Sequence, residues 1–203
     1  MFVKKTTLII PTRNRVKHIN KILKQLYKLN LNFNEIIIVD SSEISSRQYL
    51  SNICKKYKVK LYFSKPSSSL QRNLGLKLKN PNSKFVMFLD DDVIFYKNSF
   101  QEMNKIISKH HRNENIVGFC FNQVSTDAVG LFEKFKSTTL VKKMNLYSNK
   151  PGQVTKGGWH TKILNVKKDT ISDWVFTTAS IYKSKKIKNK FFNISFGAYS
   201  YLE

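Results

Sequence analysis

Four short apolar runs, Thr6–Ile10, Glu35–Val39, Val59–Phe63 and Phe85–Leu89, alternate with stretches of a different periodicity, and this alternation limits the fold more than any other feature. Between the first two runs, Val16, Ile19, Ile22, Leu23, Leu26 and Leu29 recur three or four residues apart, the spacing of a helix with one apolar face. Arg47–Tyr57 reads as a second helix. A third opens at Ser67-Ser68-Ser69, whose hydroxyls suit an amino-terminal cap, runs through Leu70, Leu74 and Leu78, and ends before Pro81. Strands alternating with helices in this way predict parallel pairing, crossover connections and a sheet covered on both faces.

Beyond the fourth run, Ser99–His110 predicts a helix, and Ile116–Val124 and Trp174–Tyr182 predict further strands. The intervening Gly130–Tyr147 and Gly152–Lys168 mix Lys, Gly and aromatic residues without a period and read as irregular structure over the mouth of a site. No repeat or low-complexity linker interrupts the chain. One domain over 1–203 is therefore expected, with residues 1–97 as a nucleotide-binding half and 98–203 as the half that closes over it.

The 203 residues, 41% apolar and 13% aromatic, are enough for a substantial core. A formal charge of +23 ordinarily points to nucleic acid or an anionic membrane. Only five of the 36 cations are Arg, however, and the Lys residues are spread along the whole chain, so a nucleic-acid partner is not expected. Cys54 and Cys120 lie far apart in segments that read as buried, which fits two reduced thiols rather than a disulfide. Pro11 stops the stretch Leu8-Ile9-Ile10, and no run approaches the ~20 residues of a membrane span. The expected location is the cytoplasm. Leu131, Phe132, Phe135, Val141 and Met144, interleaved with Lys134, Lys136, Lys142 and Lys143, read either as a helix covering the sheet or as a peripheral contact with the inner face of an anionic membrane.

Polar residues follow three of the apolar runs. Pro11-Thr12-Arg13-Asn14, Asp40-Ser41-Ser42 and Asp90-Asp91-Asp92 would share one edge of a parallel sheet, the edge at which ligands bind in open α/β folds. Three adjacent carboxylates at a strand end offer hard oxygen ligands to a divalent cation that can hold a polyphosphate. Ser67 to Arg72 adds a helix amino terminus and a guanidinium, suited to a phosphate or to the polar edge of a base.

In order and spacing, Leu8-Ile9-Ile10-Pro11-Thr12-Arg13-Asn14-Arg15, Ile37-Ile38-Val39-Asp40-Ser41-Ser42, Gln71-Arg72-Asn73-Leu74-Gly75 and Phe88-Leu89-Asp90-Asp91-Asp92 resemble the family 2 glycosyltransferases of GT-A fold. Asp173–Lys183 is similar to that family's acceptor-side strand, and Phe196–Glu203 to the approach to its Glu-Asp motif. The resemblance implies an α/β, Rossmann-like, mostly parallel sheet flanked by helices. It implies an inverting transferase that moves a sugar from a nucleotide-diphosphate donor to a saccharide or lipid-linked acceptor, as in cell-surface polysaccharide synthesis.

Carried over by residue, the resemblance has Pro11, Thr12 and Asp40 at the nucleoside and Arg72 at the base or diphosphate. Asp90 and Asp92 would be the carboxylates of an Asp-x-Asp element, with Asp90 near ribose and cation, Asp92 on Mn²⁺ or Mg²⁺, and Asp91 between them at the donor. Trp174, Thr177 and Thr178 would lie on the acceptor side, although an indole in a strand equally reads as core. The family's proton-accepting Asp would follow Glu203, where this sequence stops, so the chain reads as shortened and Glu203 is the remaining candidate for that role. The alternatives are a nucleotidyltransferase of similar fold, which normally carries a Gly-rich loop where this chain has Pro11-Thr12-Arg13-Asn14, and a catalytically impaired nucleotide-sugar-binding fragment.

Overall fold

A computed structural model of the chain describes residues 1–124, 144, 150–156, 158, 160, 161, 163, 165–188 and 192–194. Glu203 and the apolar residues of 131–141 proposed for a membrane lie outside the described residues; Met144, which is described, is exposed. The chain divides into two compact units, Met1–Phe119 with Thr177–Glu203, and Cys120–Phe176.

A 3₁₀ turn at Phe2–Lys5 leads into β1 (Thr6–Thr12), α1 (Val16–Lys28), β2 (Glu35–Asp40), α2 (Ile44–Tyr57), β3 (Lys60–Phe63), α3 (Ser68–Leu78), β4 (Phe85–Leu89), α4 (Ser99–His110), β5 (Gly118–Cys120) and β6 (Ala179–Lys183). They form one six-stranded sheet in the order β3-β2-β1-β4-β6-β5. β1 pairs in parallel with β2 from Thr7 opposite Glu35 to Thr12 opposite Asp40, and with β4 from Thr6 opposite Phe85 to Ile9 opposite Phe88. Consecutive residues Leu8, Ile9, Ile10, Ile37, Ile38, Val86 and Met87 are fully buried, which is why these strands read as unbroken apolar runs. On α1, Ile19, Ile22, Leu23 and Leu26 are the buried residues, as their spacing predicts.

Three expectations are corrected. α2 starts at Ile44 rather than Arg47; the helix buries only Leu50 and Cys54 and its one first-turn apolar residue, Ile44, is exposed, so no amphipathic pattern marks that start in the sequence. β5 is three residues long, where Ile116–Val124 was expected; a short edge strand offers little unpaired backbone. A Cβ at Gly118 would stand 2.4 Å from the carbonyl oxygen of Ile181, so glycine permits the approach of β5 to β6. Finally, the strand expected over Trp174–Tyr182 begins only at Ala179 and runs antiparallel to β4, Leu89 lying opposite Ala179 and Phe85 opposite Lys183.

Trp174 and Phe176 belong instead to the second unit, with His160 and Phe176 each edge-on to the indole at 4.7 Å. Thr161 organises that unit: its hydroxyl donates to the Lys150 carbonyl at 2.5 Å and accepts from Gln153 N at 2.9 Å, and its carbonyl accepts from Trp174 Nε1 at 3.2 Å.

Candidate functional site

The sheet runs outward from β1 in opposite directions, to β2 and β3 on one side and to β4 on the other, which puts the reversal of strand order, the place where ligands bind in open α/β sheets, between β1 and β4. Thr12, Asp90, Asp91 and Asp92 stand at this reversal. Thr12 Oγ1 donates to Asp91 Oδ2 at 2.6 Å, tying the end of β1 to the end of β4.

Arg15 completes the tie. Its Nη1 donates to Asp91 Oδ1 at 3.0 Å and to Asp92 Oδ2 at 2.9 Å, and the two carboxylates raise its pKa. Arg15 is brought there by a tight turn at Asn14, whose φ of 55° is a left-handed conformation that Asn tolerates better than most residues. Asn14 N donates to Ser42 Oγ at 2.6 Å, and its side-chain carbonyl accepts from Glu43 N at 3.2 Å, joining the loops after β1 and β2.

Asp40, at the end of β2, is completely buried. Its Oδ1 accepts from the backbone and hydroxyl of Ser42, whereas its Oδ2 has no partner among the described residues. Burial raises the pKa of this carboxyl, and the Ser42 hydrogen bonds offset only part of that. A buried acceptor oxygen left over beside a ligand edge is suited to an N–H of a bound molecule.

α3 presents a polar face to this edge. Ser67 caps it, accepting from Leu70 N at 3.3 Å, and its buried residues include Ser69, Gln71, Arg72 and Asn73. Gln71 Nε2 donates to the carbonyls of Thr12 and Val39, each at 2.7 Å, and so links the ends of β1 and β2. Arg72 Nη2 donates to Asp90 Oδ1 at 3.1 Å and its Nη1 to Ser68 Oγ at 3.1 Å. Asp90 has its pKa raised by burial, with Arg72 opposing that shift. Asn73 holds the backbone of Phe192 with two hydrogen bonds, of 2.9 and 2.8 Å, and the Phe192 ring lies 5.6 Å from the Arg72 guanidinium.

Among the expected site residues, Pro11, Thr12, Asp40, Arg72, Asp90, Asp91 and Asp92 come to this one edge. Thr177 and Thr178 directly precede β6, and the Thr178 carbonyl accepts from Asp90 N at 2.9 Å. Trp174 is part of the second unit. Arg15, Ser42 and Gln71 also carry the edge; all three lie within the motifs that mark it in the sequence, although none of them is among the individual ligand candidates named there.

The carboxylates differ in what they can still bind. Both oxygens of Asp91 are engaged internally and its side chain is 5% exposed, whereas Asp90 and Asp92 are 32% and 53% exposed. Among the described residues no three His, Cys, Asp or Glu side chains gather as a closed cage. One or two carboxylates with open access nonetheless fit a Mg²⁺-type ion, which keeps waters and takes its remaining ligands from phosphate.

The family model for glycosyl transferase family 2 matches residues 7–184. An uncharacterized glycosyltransferase of Rickettsia felis is 36% identical over 121 residues, which are 55% of this chain and 20% of that protein. The poly(ribitol-phosphate) beta-N-acetylglucosaminyltransferase TarS of Staphylococcus aureus is 31% identical over 114 residues, 53% of this chain and 19% of TarS. The chain thus spans about a fifth of the length of the relatives it matches. The structure of S. aureus TarS 1-349 in complex with UDP superimposes with a TM-score of 0.53 at 18% identity, over 93% of this chain and 50% of that one. The architecture is the GT-A fold, and the chain belongs to glycosyl transferase family 2.

Proposed function

We propose that the chain forms the donor-binding core of an inverting glycosyltransferase, which moves a sugar from a nucleoside-diphosphate donor to a hydroxyl of a saccharide or lipid-linked acceptor in cell-surface polysaccharide synthesis. The observation that carries this reading is the linkage of three sheet-edge segments around accessible carboxylates: Thr12 to Asp91, Arg15 to Asp91 and Asp92, and Arg72 to Asp90. Asp40 Oδ2 accepts an N–H of the base, next to Pro11 and Thr12. Arg72 serves base or diphosphate, and Asp90 and Asp92 hold a divalent ion, Mn²⁺ or Mg²⁺. When bound, that ion supplies positive charge to the departing nucleoside diphosphate.

Inversion needs the acceptor hydroxyl to attack from the face opposite the diphosphate while a carboxylate takes its proton. Thr177, Thr178 and Trp174 are the acceptor-side candidates, and Glu203 the candidate base. UDP is the first nucleotide to test, since TarS, a relative at 31% identity, has been solved with it. Calorimetric titration with UDP and GDP, with and without Mn²⁺, on the wild-type chain and Asp92→Ala is the direct test. Mn²⁺ is expected to strengthen binding of one nucleotide at least about tenfold, and Asp92→Ala to remove most of that gain, in keeping with loss of a charge-assisted contact. Nucleotide affinity indifferent to both cation and substitution would overturn the assignment.

A further inference from the structure

A concavity lies at the opposite edge of the sheet, where β4 begins and β6 ends. Its volume is about 910 Å³, and its lining carries seven cationic side chains against one carboxylate, that of Glu114. That carboxylate is already engaged, by Lys185 at 2.5 Å and Lys186 at 3.0 Å, and these two ammonium groups hold its pKa down to about 2. Lys183 is buried there and spends its Nζ on the Asn113 carbonyl at 2.6 Å. Lys84, Arg112 and Lys188 are exposed around the rim. Between the cations the lining mixes apolar Leu76, Pro81, Phe85 and Ile187 with polar Asn82, Ser83, His111 and Ser184.

We infer that this groove receives the phosphate headgroup of an anionic membrane lipid and docks the chain on the membrane surface. The cationic rim complements a phosphate whose charge the single engaged carboxylate does not oppose. Pro81 and Ile187, the apolar residues of the lining that are not buried, suit the glycerol and first methylenes of an amphiphile. A single-stranded nucleic acid would need several exposed aromatic faces for successive bases, and the lining offers only His111, since Phe85 is buried. The groove is also separate from the donor edge: β4 runs from Phe85 here to Leu89 beside Asp90, four residue steps or about 13 Å at a rise of ~3.3 Å. Its residues are other than those anticipated over 131–144.

Co-sedimentation with vesicles tests this on the chain as it stands, at 0.15 M salt, using phosphatidylglycerol and phosphatidylcholine at 30:70 against phosphatidylcholine alone. Binding is expected to need the anionic lipid. The triple substitution Lys84→Glu, Arg112→Glu, Lys188→Glu is expected to lower partitioning at least about tenfold. Lys21→Glu, Lys24→Glu, Lys28→Glu, the same charge change on the exposed face of α1, is expected to lower it less than about threefold. Equal losses in the two triples would overturn the inference in favour of a diffuse field from the whole +23 chain. So would displacement from the vesicles by a single-stranded oligonucleotide at equal phosphate concentration, or by inorganic phosphate at millimolar concentration. If the rim variant does not fold, lysine acetylation of the wild type decides: anionic vesicles should protect Lys84 and Lys188 while Lys21 and Lys24 stay reactive, and the reverse pattern or uniform reactivity would sink the proposal.

Discussion

Asp90, Asp91 and Asp92 are identical in chemistry and adjacent in sequence, yet they do three different things. Asp90 leans on Arg72, Asp91 is buried between Thr12 and Arg15, and Asp92 is half exposed and touches only one arm of Arg15 among the described contacts. Removing the buried carboxylate leaves the Thr12 hydroxyl without its acceptor and Arg15 Nη1 with Asp92 alone, a loss of about 1–3 kcal/mol. An exposed ion pair contributes about 0–1 kcal/mol. Asp91→Ala is therefore expected to lower the urea midpoint clearly while Asp92→Ala barely moves it, the reverse of their expected ranking in cation-dependent nucleotide binding. Equal destabilisation by the two would contradict this division of labour. The sequence marks the triplet but not which member is spent internally, because that depends on Thr12 and Arg15, 79 and 76 positions away from Asp91.

Among the elements, α3 shows how packing and site are joined. Its polar residues Gln71 and Arg72 serve the ligand edge, while Gly75 lets the helix lie close on β1. A Cβ at Gly75 would stand 2.5 Å from Cγ2 of Ile9, and Ile9 is fully buried in the middle of the sheet. That methyl sits on the β carbon, so it cannot swing aside without a new χ1. Gly75→Ala should gain about 1 kcal/mol of helix propensity and lose about 1–3 kcal/mol to overpacking. A lowered melting temperature is expected; a raised one would mean that β1 and α3 separate more easily than their burial implies. β1, β2, β4, α1 and α3 are legible in the sequence because each buries a regular apolar pattern or carries a cap. β5 and the true start of β6 are not: Trp174 and Phe176 have strand-like chemistry, but the Trp174 ring packs edge-on against Phe176 and His160 instead.

For the whole molecule, the amino-terminal edge of the sheet is held by Glu35. Its carboxylate accepts from Lys60 Nζ at 2.9 Å on β3, from Thr7 Oγ1 at 2.7 Å on β1, and from the backbone of Asn80 before β4. Burial alone would raise its pKa, but the Lys60, Thr7 and Asn80 hydrogen bonds together hold it below the ordinary 4.5. A carboxyl depressed in the folded state adds stability that is complete above its ordinary pKa and lost as pH falls through the folded value. Glu35→Gln should accordingly be less stable than wild type at pH 7, with the difference shrinking below pH 4.5; urea midpoints measured from pH 7 to pH 3 read this out. A constant difference across that range would show that charge on Glu35 is not what ties the strands.

The sequence alone determined the alternation of strand and helix, the burial of the central strands, the family and the edge at which the polar residues meet. Those properties are local or follow from topology, since apolar period, caps and strand direction need no knowledge of distant neighbours. Only the tertiary structure decided that β6 runs antiparallel, that Asp91 is engaged by Thr12 and Arg15 while Asp92 stays accessible, that Gln71 and Arg15 bind the edge together, and that a cationic groove opens at the far edge. Each of these depends on which side chains from remote segments come within hydrogen-bonding or van der Waals reach, and neither composition nor spacing along the chain encodes that distance.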